Sequence, residues 1–172
     1  MLSVFLRNQM PMGLRRALLI LVSFLLAPAA SAEWFPNPYK GYTFEAPGSW
    51  RLSHPDYMLT GPSGESLSES DLPPKGERSL LKISKNAGMI ACIGADYEDT
   101  NEQFSLDGDD WQGLVKVFVE PRRTNRQQRH VLQLVAQHGK DYRLFYLAVP
   151  TQEWTSDRES PKRVLAALRF KP

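Results

Sequence analysis

Between Leu114 and Val149 three stretches in series carry strand-like patterns, and this run narrows the folds open to the chain more than any other feature. Leu114 to Glu120 places Val115, Val117 and Val119 on one side. Val131 to Gln137 does the same with Leu132, Leu134 and Ala136, and Tyr142 to Val149 is nearly continuous aromatic and aliphatic. Side chains of a strand alternate between faces, so a period of two buries one face. His138-Gly139-Lys140-Asp141 makes a tight connection of the kind that joins antiparallel neighbours. The three stretches predict an antiparallel meander.

Weaker signals surround it. Trp34 to Lys40 carries two prolines and reads as an extended lead-in; Tyr42 to Ala46 alternates aromatic and polar residues and reads as a strand. Pro47-Gly48-Ser49 is a turn before Trp50, and Tyr57 to Thr60 is a short strand ended by Gly61-Pro62. Residues 61–78 (GPSGESLSESDLPPKGER) are rich in Gly, Ser, Pro and acid, which predicts a long mobile loop. Leu80 to Ile83 and Gly88 to Ala95 read as strands, and Asp96 to Asp110 as a polar segment that could hold a short helix. At the C-terminus, Ser156-Asp157-Arg158-Glu159 fits a capping box, with Ser160-Pro161 as an alternative helix start. Val164, Leu165 and Leu168 then share one helical face, and Arg169-Phe170-Lys171 could return to a sheet edge. The expected class is α+β: an antiparallel sheet of about six strands with a C-terminal helix packed on it.

The first 32 residues stand apart from this pattern. Arg7, Arg15 and Arg16 precede an apolar run, Ala17 to Leu26, interrupted by Ser23 and followed by Ala27-Pro28-Ala29-Ala30-Ser31-Ala32. A basic head, a short apolar stretch and small residues at the end are the layout of a cleavable signal peptide. The apolar run is about half the roughly 20 residues that a membrane span needs. Cleavage is expected between Ala32 and Glu33, leaving residues 33–172 as one domain in the periplasm with no stable membrane insertion. Removing three arginines takes the 21 basic residues to 18 against 19 acidic ones, a net charge of −1. That balance gives no argument for nucleic acid as a partner. Cys92 is the sole cysteine, so no intrachain disulfide can form; its apolar neighbours predict a small buried side chain.

Two segments resemble a known family. Gly41-Tyr42-Thr43-Phe44-Glu45-Ala46-Pro47-Gly48-Ser49-Trp50 resembles the opening of PsbP/Mog1-like domains, and Val131 through Phe170 resembles their closing hairpin, helix and short strand. The resemblance implies an antiparallel sheet flanked by helices. The chain departs from the family in showing no evident middle helix between Gly61 and Arg78. In size, signal peptide and the Asp141-Tyr142-Arg143-Leu144 hairpin it is also similar to periplasmic immunity proteins that neutralise type VI secretion effectors. That similarity implies a protein-binding role.

Catalytic and metal patterns are poor. Gly61-Pro62-Ser63-Gly64-Glu65 lacks the G-x-S-x-G spacing of a serine elbow, although His54, His130 and His138 are available as bases. Asp96, Glu98 and Asp99 form one acidic cluster and Asp107-Gly108-Asp109-Asp110 another, without the calcium-loop spacing, and no histidine pair has zinc spacing. No catalytic residue, metal or cofactor is assigned. The stronger pattern is charge in loops. Arg122, Arg123, Arg126 and Arg129 fall between two strands and suit carboxylate or phosphate, while Glu65, Glu69 and Asp71 could enter a basic cleft. Trp111 and Trp154 are candidate aromatic anchors. The expectation is a non-enzymatic periplasmic domain with a protein partner, in its narrower form an immunity protein against a secreted envelope-targeting toxin. The alternatives are an accessory domain assisting assembly of an envelope complex and an envelope hydrolase.

Overall fold

The computed structural model describes residues 33–37, 42–46, 49–53, 58–73, 79–121 and 127–171. In chain order the strands are β1 (Glu33–Asn37), β2 (Tyr42–Ala46), β3 (Arg51–Ser53), β4 (Met58–Thr60) and β5 (Ser66–Ser70). Helix α1 (Leu80–Gly94) follows, then β6 (Glu98–Asp107), β7 (Gln112–Val119), β8 (Arg129–His138) and β9 (Asp141–Pro150). Helices α2 (Thr151–Ser156) and α3 (Glu159–Ala166) and strand β10 (Phe170–Lys171) close the chain. The main sheet is antiparallel in the order β3-β4-β5-β9-β8-β7-β6, and β1-β2-β10 form a separate three-stranded sheet. The class is α+β as expected, with seven strands in the main sheet.

The meander forms as its period predicts. Leu59, Leu67, Leu147, Leu132 and Val117 are register partners in turn across β4, β5, β9, β8 and β7, and each is at most 2% exposed. With Val115, Leu134, Phe145 and Val149 they pack against Trp154, Leu165, Leu168 and Phe170. The C-terminal helices therefore cover this face of the sheet. The expected Ser156 or Ser160 cap is replaced by Asp157, whose carboxylate accepts the Glu159 and Ser160 N–H groups at 3.0 and 3.1 Å. Trp111 and Trp154 are both buried in the core and cannot serve as surface anchors.

Three expectations are corrected. Residues 80–83 and 88–95 are not strands but lie in one helix, α1, with its continuation to Ala95. Ser79 caps it by accepting the Lys82 N–H, and Ile83, Ala87 and Ala91 recur at helical spacing on the buried face. Gly88 reads as a break in the sequence, yet a Cβ there would stand 3.1 Å from the Phe118 ring. The glycine lets helix and sheet approach closely. Second, residues 66–70 are not loop: Ser66–Ser70 is an interior strand paired with β4 and β9. Third, residues 98–107 form the edge strand β6.

The α1 face of the sheet is more polar than the other. Ser68, Tyr146, Gln133, Lys116 and Gln103 follow one another in register across five strands. Buried Gln133 donates to the Ser84 carbonyl at 2.9 Å and to the Ser84 hydroxyl at 3.3 Å, while the Tyr146 hydroxyl donates to it at 3.3 Å. Cys92 lies on α1 and is half-buried, not enclosed, because its helix carries the exposed Met89, Ile90 and Ile93 beside it. No helix of the described residues is long and apolar enough to cross a membrane.

Candidate functional site

The turn before β5 and the end of the β7–β8 connection meet at one end of the sheet. Gly61 donates its N–H to the Glu65 carbonyl at 2.9 Å, and Gly64 donates to the Gly61 carbonyl at 3.2 Å. Gly64 has φ +88°, a left-handed backbone that glycine adopts without strain. The Glu65 carboxylate accepts the Ser63 N–H at 2.8 Å, so this predicted acid holds its own turn in shape. Across from it, Glu120 donates to the Arg129 carbonyl at 2.9 Å and closes the β7–β8 hairpin at the start of β8.

Arg129 ties the two segments together. Its Nη2 donates to the Gly64 carbonyl at 3.1 Å, the Ser66 hydroxyl at 2.8 Å and the Ala148 carbonyl at 3.1 Å. The half-buried guanidinium thereby spans β8, β9 and the turn. Ser63, Gly64, Gln127, Arg129 and Pro150 line a cavity of about 360 Å³ there. Among the described residues no carboxylate forms an ion pair with Arg129.

The structure thus brings the turn that holds Glu65 and the Arg129 side chain to one sheet end, through Gly64 and Ser66. Glu69 sits within β5 opposite Phe145, and Asp71 follows the strand's end, so neither belongs to a free acidic plug. An interior strand commits its backbone to both neighbours, and the Leu67 side chain is needed in the core. Arg122, Arg123 and Arg126 lie outside the described residues. Ser63, Gln127 and Pro150 were not singled out by sequence; the Gly-Pro-Ser-Gly turn and the proline closing β9 were the available signals.

Other polar groups are already committed. Asp99 pairs with Lys116, Asp109 with Arg169 at 2.5 Å, and Asp110 with His138 at 3.6 Å. Both acidic clusters thus contribute to local pairs, and no group of three metal-ligating side chains converges among the described residues. His130 Nδ1 lies 3.3 Å from the Thr151 hydroxyl, but that hydroxyl donates to the Gln128 carbonyl at 2.9 Å. The imidazole stacks on Trp154 with centroids 5.4 Å apart. Burial, helped by Arg158, lowers its pKa below the ordinary histidine value, against the pull of Glu102. Its position suits packing better than proton transfer to a substrate.

A second concavity of about 290 Å³ lies at the C-terminal end of α1, lined by Ser68, Ile90, Gly94, Tyr97 and Tyr146 among others. Burial, with a smaller contribution from Tyr97, pushes the Tyr146 phenol up to about 12. The phenol is therefore neutral and a hydrogen-bond donor across the physiological range.

No protein-family model matches the chain, and no curated protein matches its sequence. Among solved structures it is similar to the solution structure of cyanobacterial PsbP (CyanoP) from Synechocystis sp. PCC 6803. The match has a TM-score of 0.55 at 14% identity and covers 85% of this chain and 96% of that one. The strand order, the helix on one face and the helical C-terminal cover of the other face make this a PsbP-like fold.

Proposed function

We propose that the chain is an exported, non-enzymatic binding domain whose partner is another protein, docking at the sheet end built by residues 61–66 and 127–130. The observation that carries this reading is Arg129: a charged group fixed by three hydrogen bonds, lining a cavity, with no acidic partner among the described residues. A PsbP-like fold is compatible with an accessory or binding domain, and a fold hosts its function in such sites. The leader-like first 32 residues support export to the periplasm.

The narrower reading is an immunity protein that neutralises a secreted envelope-targeting toxin; an accessory role in an envelope complex uses the same surface. A photo-crosslinking side chain placed at Ser63 or Gln127 tests the common core. In an envelope extract it should trap one discrete protein, and the same group at Ser105 on the edge strand should not. Equal labelling from all three positions, or turnover of an envelope substrate by the purified chain, would overturn it. The immunity form further requires that expression protects cells from a toxin encoded beside its gene.

A further inference from the structure

We infer that the Arg129 cavity is a recognition pocket for a single carboxylate, supplied by an acidic side chain of the partner. The inference rests on the docking reading above and names the chemistry of that contact. A guanidinium carries five N–H donors and stays charged at any physiological pH. All three hydrogen bonds of Arg129 come from Nη2, which has two hydrogens, so one of them is shared. The donors on Nε and Nη1 have no partner among the described residues.

Several other basic side chains are paired with an acid of the chain: Lys116 with Asp99, Arg158 with Glu102, Lys162 with Glu159, Arg163 with Asp157, Arg169 with Asp109. Arg129 is less exposed than most of these and has none. Withdrawing a cation from water without a counter-charge is costly, and an incoming anion recovers that cost. Glu65, in the turn that Arg129 binds, spends its carboxylate on the Ser63 N–H. The fold therefore presents an oriented cation and leaves its counter-ion to come from outside.

The cavity lining selects among anions. Among the described residues the rest of the lining is Ser63, Gly64, Gln127 and Pro150, a neutral set with hydroxyl and amide groups. One positive charge matches a carboxylate; a phosphate dianion would leave about one negative charge unmatched in the same space. Charge-assisted hydrogen bonds of this type are roughly twice as strong as neutral ones.

Replacing Arg129 would also remove its structural bonds to the turn, Ser66 and Ala148, so the decisive variant is Gln127→Glu. Gln127 is exposed and lines the same cavity, so the change supplies an acid in cis without touching the core. The exported protein is isotope-labelled and titrated with a capped tetraglutamate peptide and, separately, with inorganic phosphate. Resonances of the Arg129 side-chain N–H and the Gly64 amide are followed. The peptide should shift both saturably, phosphate should not, and Gln127→Glu should weaken the peptide about tenfold or more, as loss of one charged hydrogen bond implies. Absence of a saturable peptide shift, phosphate binding as tight as the peptide's, or unchanged binding by Gln127→Glu would each overturn the proposal. Any of these could occur while the crosslinks from Ser63 and Gln127 still formed, which separates this failure from failure of the docking surface.

Discussion

The two ends of β8 each carry a basic side chain, Arg129 and His138, in opposite situations. At the His138 end the polar groups are partnered within the fold. Asp110 faces the His138 imidazole at 3.6 Å and accepts the Phe170 N–H at 3.3 Å, while neighbouring Asp109 pairs with Arg169. A cavity of about 500 Å³, lined by Asp109, Asp110 and Gln137 among others, opens there too, yet its acids are already spent. At the Arg129 end the cation has hydrogen bonds but no described acid. The size of a concavity thus discriminates poorly between the ends of this sheet. The charge without an acid among the described residues discriminates well, and it is the basis of the docking surface proposed above.

That contrast can be broken at its common support first. Leu134, wholly buried at the middle of β8, belongs to the core between the two ends. Leu134→Ala should cost about 2–5 kcal/mol in chemical denaturation. An unchanged midpoint would contradict the assignment of that face to the core. Next come the ends themselves. Arg129→Met should destabilise by about 1.5–3 kcal/mol, because it removes bonds from a charged, half-buried group. His138→Gln should cost less than about 1 kcal/mol, since its pair is largely exposed. Equal losses at the two ends would remove the distinction drawn here.

A smaller effect concerns pH. The folded protein holds His130 below the ordinary histidine pKa of 6.5, through burial first and Arg158 second. The unfolded chain therefore binds a proton more readily than the folded one. Stability should be full above about pH 6.5 and fall as pH drops from there through the folded-state value. The groups facing the ring are Thr151, Trp154, Arg158 and Glu102. His130→Gln should flatten this part of the stability–pH curve, as read by urea midpoints at a series of pH values. A slope of the same size in the variant would assign the effect to another group.

Where the sequence was legible, burial and period agreed. The expected one-face sets Val115 and Val117 of β7 and Leu132, Leu134 and Ala136 of β8 are buried, with β8 buried on its other face as well, and the hairpin turn between β8 and β9 is carried by Gly139 at φ +59°. β5 was hidden because Ser-Leu-Ser-Glu-Ser contributes one apolar side chain; its place in the sheet comes from backbone pairing on both sides, which leaves little trace in composition. α1 was hidden for a different reason. Small residues and Gly88 on its buried face, needed for close approach to Phe118, broke the apolar run into two strand-length pieces. At the site, Glu65 and Arg129 were visible as charges, but the approach of the residue 61–66 turn to Arg129 depends on β5 lying beside β9, a contact no local pattern reveals. Ser63, Gln127 and Pro150 carry no charge, and only the fold brings them around the guanidinium.

The most direct test of the account is an amide hydrogen-exchange footprint of the protein alone and bound to the partner trapped from Ser63 or Gln127. The account predicts slowed exchange concentrated at residues 61–66 and 127–130, with the α1 segment carrying Met89, Ile90 and Ile93 unchanged. Protection centred on that exposed apolar stretch of α1, with the Arg129 end unaffected, would place the interface on the helix face and contradict it.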